Sequence, residues 1–229
     1  MKNKFPILLI GAIALVAGVV VSGQLSKGDT ESTQVASSGS SQADKQELQK
    51  LQSALKTSIA LPLSFKKVPD FKLLDDDAQA ITQTVFDDRW SIVFFGYTHC
   101  PDVCPITLHV MKNVVSKLLE KGQTKPQIIF VSVDPVRDTS EIMKKYISYF
   151  DEEFIGITGD MNAVHALTSS LGIVASFTAN SEDPENYMVD HTASLLLIDP
   201  DKRVRAKISA PHVAETIVAD YLTIIGAPS

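Results

Sequence analysis

The sequence predicts an α/β fold in which a central mixed sheet is flanked by helices, preceded by one N-terminal transmembrane helix. A continuous apolar run at 92–95 and a largely apolar segment at 127–133 are typical of strands that are buried on both faces. An apolar stripe at helical spacing lies between them, and a strand, a helix and a strand within about 45 residues predict a right-handed parallel unit. Pro200 and Asp201 separate two further apolar segments and predict an antiparallel hairpin.

The N-terminus predicts the membrane segment. Lys2 and Lys4 precede an apolar run from Phe5 to Val21, which is long enough to reach roughly across a hydrocarbon core. The positive-inside rule keeps the two lysines in the cytoplasm and places the rest of the chain outside it. A cleaved signal peptide is the alternative, although no clear small-residue cleavage site follows the run. We therefore predict a membrane anchor over residues 1–23.

Residues 24–60 predict a polar tether, and residues 61–229 predict the folded domain. The tether is rich in Ser, Gln, Gly and Thr. Near its end Leu48, Leu51 and Leu55 recur at helical spacing, and Asp44 is suited to cap a short helix there. The formal net charge of −6 argues against a general nucleic-acid binder, because such proteins usually carry a basic field.

The elements of the domain follow in order from local patterns. A helix is predicted after the two cysteines, with Pro105 in its first turn and Gly122 at its end. Asp138 is suited to cap the next helix, with Glu141 in the capping-box position. The other predictions are a strand over 71–74, an aspartate turn over 75–77, a short strand over 154–157, a helix from the cap Asp160 to Gly172, a polar surface loop over 176–186, strands over 193–198 and 203–208, and a final helix opened by Pro211.

This order of elements is the thioredoxin arrangement. In open α/β sheets, functional groups collect beyond the carboxyl ends of the strands. Cys100 and Cys104 follow one predicted strand, and Asp134 follows the next. We therefore expect these three residues at the same edge of the sheet.

The chemistry of the predicted site starts from Cys100 and Cys104, the only cysteines in the chain. If their loop runs into a helix, side chains four residues apart share a face, and the two sulfurs can approach one ion or each other. A helix N-terminus favours thiolates, and two thiolates with one imidazole suit Cu(I). The alternatives are a dithiol that cycles between reduced and oxidised forms, and a structural disulfide, which would close a loop too small to restrict the unfolded chain much.

Five histidines compete for the third ligand position. His191 directly precedes an apolar strand, which would hold its side chain rigidly beside one end of the sheet, so the pattern favours it. Its alternative is a satisfied polar residue without a ligand role. The other candidates are less well placed, because they adjoin a cysteine on an extended chain, face away from it on a helix, or lie in later helices: His99, His109, His165 and His212.

Five segments, in this order, resemble the SCO/SenC family. The resemblance covers the chain from about residue 61 to the C-terminus, and Cys-Pro-x-x-Cys-Pro with a downstream Asp-His is highly specific. Many relatives carry glycine where this chain has Ala78 and Lys202, which bears on the geometry of two hairpins. The segments are Phe95-Gly-Tyr-Thr-His-Cys-Pro-Asp-Val-Cys-Pro105, Val131-Ser-Val-Asp-Pro-Val-Arg-Asp-Thr139, Gly156-Ile-Thr-Gly159, Val189-Asp-His-Thr192 and Leu197-Ile-Asp-Pro200.

The resemblance implies a membrane-anchored, thioredoxin-like domain that binds copper through Cys100, Cys104 and His191. The copper is expected as Cu(I), and binding of Cu(II) is left open. The resemblance also implies work in assembling the binuclear copper centre of cytochrome c oxidase, so the expected partner is the copper-centre subunit of that enzyme. Other copper chaperones and thiol–disulfide proteins are further candidate partners. Asp134 matches a family motif position and is expected to shape the loop rather than bind metal.

The same resemblance, together with the predicted anchor, implies a protein of the bacterial inner membrane, single-pass, with the domain facing the periplasm.

Three other functions stay open from the sequence. A thiol–disulfide reductase would use Cys100 as nucleophile and Cys104 as resolving thiol, and would keep the cysteines of the oxidase subunit reduced. A copper or redox sensor would use the same ligands. A peroxidase is less favoured, because the two prolines and the downstream histidine favour metal binding.

Overall fold

The computed structural model describes residues 42–178 and 187–226. The predicted anchor over residues 1–23 and the first part of the predicted tether lie outside these ranges. Within them, no helix is both long and apolar enough to cross a membrane. The described helices are α1 (Gln42–Ala54), α2 (Val103–Glu120), α3 (Ser140–Ser148), α4 (Met161–Leu171) and α5 (Ala214–Ile225).

Ten strands occur in the described part of the chain. Eight of them form one sheet in the order β1-β10-β9-β4-β5-β6-β2-β3, and β7 and β8 form a separate two-stranded ribbon. The strands are β1 (Ser58–Ala60), β2 (Lys72–Asp75), β3 (Ala80–Thr82), β4 (Ser91–Gly96), β5 (Gln127–Ser132), β6 (Ile155–Thr158), β7 (Ala175–Thr178), β8 (Met188–His191), β9 (Leu195–Ile198) and β10 (Val204–Ile208).

The sheet is mixed, as predicted. Strand β4 pairs in parallel with β5, and β5 pairs in parallel with β6. Strand β9 pairs antiparallel with both β4 and β10, which confirms the predicted hairpin around Pro200. Every residue of β4 is buried, as the continuous apolar run predicts for a central strand. Because Gly96 pairs with Ser132, the loops that follow β4 and β5 leave the same edge of the sheet side by side.

The helix ends follow from local chemistry, with two corrections at predicted caps. Asp44 does not cap α1, because the helix already begins at Gln42. Asp160 caps α4 by accepting from the backbone N–H groups of Asn162 and Ala163, and Gly172 ends the helix in the left-handed region, as predicted. The prediction that Asp138 caps α3 is wrong. Thr139 is the cap, because its hydroxyl accepts from the backbone N–H of Ile142, and the carboxylate of Asp138 is used elsewhere.

Three further boundaries differ from the predictions. The segment 176–186 is not all surface loop, because Ala175–Thr178 pairs antiparallel with Met188–His191. His191 therefore ends its own strand, and the following apolar strand begins only at Leu195. The last helix begins at Ala214 rather than at Pro211, with Val213 in the extended cap position. The pattern missed β7 and β8 because each strand is only four residues long and mostly exposed, so neither shows a continuous apolar run.

Both hairpins form with a residue other than glycine at the position that the family resemblance placed in doubt. Ala78 has a φ of +58° and Lys202 a φ of +67°, so both residues adopt the left-handed conformation. An L-residue other than glycine pays roughly 1 kcal/mol for this conformation. At the first turn, the carboxylate of Asp75 offsets the cost by accepting from the backbone N–H groups of Asp77 and Gln79. These contacts confirm the aspartate turn.

Asp220 on α5 ties the final helix to the start of the domain. Its carboxylate is 1% exposed, and it accepts hydrogen bonds from the backbone N–H groups of Lys56, Thr57 and Ser58 at 2.7, 3.0 and 2.8 Å. The hydroxyls of Thr57 and Ser58 donate to the same group. Burial raises the pKa of Asp220, but these hydrogen bonds outweigh it and hold the pKa below its ordinary value of 3.8.

Replacing Asp220 with asparagine is expected to lower the free energy of unfolding by about 2–4 kcal/mol at neutral pH, because the amide leaves buried donors without a charged acceptor. The carboxylate stabilises the fold above its unfolded pKa and loses this effect as pH falls through its lower folded pKa. Urea unfolding should therefore show the difference between the two proteins shrinking below about pH 4. Asp151→Asn is the control. An equally large loss in the control would contradict the special role of Asp220.

Candidate metal centre

The cysteine loop starts where β4 ends. The backbone N–H of Cys100 donates to the carbonyl of Tyr97 at 3.2 Å, which turns the chain directly after the strand. Cys104 lies in the first turn of α2. Both cysteines are free thiols and both are buried, with Cys100 8% and Cys104 0% exposed. The predicted approach of the two sulfurs over a helix N-terminus is therefore what the chain adopts.

Gly96 makes room for the Cys104 thiol. A Cβ atom at this position would lie 2.6 Å from the Cys104 Sγ and 2.7 Å from the Cε2 of Phe130, closer than real Cβ contacts allow. Strand β4 therefore ends with glycine because the Cys104 sulfur and a core ring both lie close to its backbone. The sequence pattern did not reveal this requirement, since a glycine after an apolar run also suits an ordinary strand end.

His191 reaches the cysteines from the ribbon. It ends β8, opposite Ala175 of β7, and its Nε2 lies 3.6 Å from the Cys104 Sγ. Its ring packs edge-on against Phe94 and Tyr97, with centroids at 6.2 and 5.9 Å. These contacts hold the imidazole at the carboxyl end of the central strand with Nε2 directed at the sulfur.

The three predicted ligands form one cluster. The thiol sulfurs of Cys100 and Cys104 and a ring nitrogen of His191 all lie within 4.8 Å of one another. The other four histidines, all within the described residues, have different surroundings: His99 lies 3.8 Å from Asp138, His109 packs on Phe150, His165 contacts Ser169, and His212 contacts Thr107. The expectation that they are poorly placed agrees with these positions.

The pKa values of the two thiols shift in opposite directions. A hydrogen bond from Cys104 lowers the pKa of Cys100, against burial, which raises it, and His191 lowers it further. The same hydrogen bond, together with burial, raises the pKa of Cys104. Of the two thiols, Cys100 is therefore the one that ionises more readily. A thiolate is the reactive form of cysteine for both metal binding and disulfide exchange.

Asp138 holds the cysteine loop to the loop after β5. Its carboxylate is 0% exposed and accepts from the Thr98 backbone and hydroxyl at 3.0 and 2.6 Å and from the Ser132 hydroxyl at 2.6 Å. Burial raises the pKa of this carboxyl, and the hydrogen bonds from Ser132 and Thr98 oppose the shift. Asp138, predicted as a helix cap, instead connects by hydrogen bonds the two loops that carry the site.

Asp134 lies beside the site and outside the ligand cluster, as expected. Its carboxylate is 0% exposed; it accepts from the Nε of Arg137 at 2.5 Å and from the hydroxyl of Tyr187 at 2.6 Å. Its carbonyl accepts from the backbone N–H groups of Arg137 and Asp138, which closes the turn. Arg137 lies in a segment that resembles the family, but the sequence predicted no role for it, and it did not single out Tyr187, because a tyrosine after a polar segment carries no distinctive pattern.

The donor set fits a soft monovalent ion. Two sulfurs and one imidazole nitrogen are the ligand types that suit Cu(I), whereas structural zinc sites normally have four protein ligands. The Nε2 of His191 faces the sulfurs, so Nε2 would be the ligand atom. Its Nδ1 is buried without a hydrogen-bond partner among the described residues. The ring is therefore oriented by its packing on Phe94 and Tyr97 rather than by a second hydrogen bond.

Comparison with known proteins agrees with this geometry. The chain is 34% identical over 149 residues to the SCO2-like protein of Rickettsia typhi, covering 63% of this chain and 73% of the other. The copper-bound structure of Bradyrhizobium japonicum ScoI shares 34% identity at a TM-score of 0.59, over 68% of this chain and 97% of the other. Copper-bound ScoI of Arabidopsis thaliana shares 27% identity at a TM-score of 0.66, over 70% and 99%.

These likenesses confirm the thioredoxin-like arrangement of a mixed sheet flanked by helices. A family model described as SCO1/SenC matches residues 62–226, which include both cysteines, the histidine and the loops that hold them. The resemblance predicted from the five sequence segments is thereby confirmed, and the chain belongs to the SCO1/SenC family.

Proposed function

We propose that this protein binds one Cu(I) ion through Cys100, Cys104 and His191 and delivers it to the binuclear copper centre of cytochrome c oxidase. The observation that carries the proposal is the approach of two sulfurs and one imidazole nitrogen to within 4.8 Å of one another. Copper bound in two relatives of the same fold supports the choice of metal. The oxidase subunit as recipient rests on the family resemblance.

The site is suited to holding copper and to releasing it. Cys104 is fully buried at the helix start, whereas Cys100 lies in the loop and is 8% exposed. Delivery by ligand exchange requires an incoming ligand to replace the site's ligands one at a time. We propose that, of the two sulfurs, Cys100 is replaced before Cys104, because Cys104 is fully buried.

A second candidate function is reduction of a client disulfide, which the close approach of two free thiols favours; the lowered pKa of Cys100 favours it as the nucleophile. The Cys100 thiolate would attack one client sulfur and form a mixed disulfide, releasing the other client sulfur as a thiolate. Cys104, after losing its proton, would then attack the Cys100 sulfur and release the remaining client sulfur as a thiolate. The protein would end as a disulfide, and the client would gain two electrons, with one proton from Cys104 and one from solvent.

We further propose that the domain works at the outer face of the bacterial inner membrane, in the periplasm. The support is the apolar run from Phe5 to Val21 with Lys2 and Lys4 before it. Protease digestion of intact spheroplasts is the test, and protection of the domain from added protease would contradict this location.

Titration of the purified full-length chain with Cu(I), against a competing chelator, tests the copper proposal. We expect one copper per reduced chain and none per chain after oxidation of the Cys100–Cys104 pair to a disulfide, because a disulfide has no thiolate to donate. Affinity should also fall as the pH is lowered, since protons compete for the thiolates. Equal binding by reduced and oxidised protein would contradict the proposed site.

A further inference from the structure

The ribbon that carries His191 is not part of the main sheet. Strand β8 pairs only with β7 among the described strands, and these two strands form a sheet of their own. The cysteines, in contrast, follow β4 at the centre of the eight-stranded sheet. The distance between the imidazole and the sulfurs therefore depends on what fastens the ribbon to the loops of the main sheet.

Tyr187 provides one fastening, just before β8 begins. Its hydroxyl donates to the Oδ1 of Asp134 at 2.6 Å, and the guanidinium of Arg137 stacks on its ring, 3.7 Å from the centroid. Arg137 also donates to the other oxygen of Asp134. Because the Asp134 carboxylate is 0% exposed, its two partners replace water and hold a fixed geometry. Tyr187 is thereby tied to the loop that follows β5.

Tyr97 provides the second fastening, because it contacts both the ribbon and the Arg137 side chain. Its hydroxyl accepts from the backbone N–H of Val189 at 3.4 Å, in the middle of β8. The guanidinium of Arg137 lies 5.7 Å from the centroid of its ring. The ring of Tyr97 contacts the ring of His191 edge-on, with centroids at 5.9 Å. A contiguous set of contacts thus runs from the Arg137 side chain to the imidazole.

We propose that Arg137 and Tyr187 are positioning residues that latch the ribbon to the main sheet and so set the place of His191 relative to the cysteines. The inference rests on the proposed function, because its consequence is measured as copper affinity. Neither residue touches the cluster. Tyr187 directly precedes the strand that ends at His191, so its loss should displace the imidazole first, whereas Cys100 and Cys104 are carried by the loop after β4 and by α2.

The test compares the full-length chain with Tyr187→Phe, which removes the hydroxyl and keeps the aromatic ring. We expect Cu(I) affinity to fall about 10- to 100-fold, the usual effect of losing a group that orients a metal ligand. Tyr149→Phe is the matched control, because Tyr149 is 74% exposed and lies outside the latch. Arg137→Lys, which keeps the charge and loses the stacked plane, should weaken binding in the same direction.

Two further readouts separate positioning from general damage. In a His191→Ala background, Tyr187→Phe should have no additional effect on Cu(I) affinity, since the residue through which it acts is gone. In the copper-free protein, the amide of Val189 should exchange with solvent faster in Tyr187→Phe, while the amides of β4 keep wild-type rates.

The outcomes are distinguishable. If the wild-type chain binds no Cu(I), the proposed function fails, and the amide exchange still tests the latch. If the wild-type chain binds Cu(I) and Tyr187→Phe binds equally well, the latch is wrong and the copper site stands. An equal loss with and without His191 would also overturn the positioning role, since the effect would then reach the cysteines directly.

Discussion

Replacing Gly96 with alanine is expected to displace the Cys104 thiol and to weaken Cu(I) binding by at least about tenfold. The added methyl group would stand 2.6 Å from the Cys104 Sγ and 2.7 Å from the Phe130 ring. Phe130 is 0% exposed, so its ring has no free space to enter. Overpacking of this kind costs about 1–3 kcal/mol, and a ligand atom forced from its place loses the geometry that the metal requires.

Two measurements on Gly96→Ala check this expectation: the Cu(I) affinity and the midpoint of urea unfolding. Gly156→Ala in β6 is the control for crowding away from the site, because an added Cβ there would lie 3.1 Å from Met143 and 3.2 Å from Asp76, and neither residue is a proposed ligand. A folded Gly96→Ala protein with wild-type copper affinity would show that the position of the Cys104 sulfur does not matter for binding.

Replacing Cys104 with serine is expected to weaken Cu(I) binding more than about 100-fold. Loss of a group that only orients a metal ligand lowers metal affinity about 10- to 100-fold, and loss of a buried ligand sulfur should lower it further. His191→Ala should cause a smaller loss, because both soft thiolates remain to hold the ion. A competition titration of both variants against the wild-type chain measures this order of effects.

His212→Ala is the matched control for the histidine variant. His212 is also partly buried, but it contacts the Thr107 hydroxyl and not the cysteine sulfurs. Its loss should leave Cu(I) affinity unchanged. If His191→Ala binds Cu(I) as tightly as the wild-type chain, the imidazole has no ligand role. The second candidate function, a dithiol that reduces a client disulfide, is then favoured.

The central part of the fold was predictable because its signals are local and strong. Strands β4 and β5 are continuous apolar runs that can only be buried on both faces, and the helix between them shows an apolar stripe. Those three elements position Cys100 and Cys104. The order of the remaining elements then narrowed the topology, because crossover connections between parallel strands are right-handed.

The surroundings of the site were less predictable, because they depend on contacts between distant segments. Asp138 has the sequence context of a helix cap, yet its carboxylate accepts a hydrogen bond from Thr98, forty residues earlier in the chain. Tyr187 follows a polar segment and has no pattern that would link it to Asp134, fifty-three residues away. His191 was identified by family resemblance more firmly than by pattern, because an isolated histidine has no period or spacing to test.

X-ray absorption spectroscopy of the Cu(I)-loaded, full-length protein tests the central claim most directly. We expect a copper ion with two sulfur neighbours and one nitrogen neighbour, and the loss of the nitrogen signal in His191→Ala. The cluster of Cys100, Cys104 and His191 within 4.8 Å is the basis of this expectation. A spectrum with sulfur neighbours alone, unchanged in His191→Ala, would contradict it.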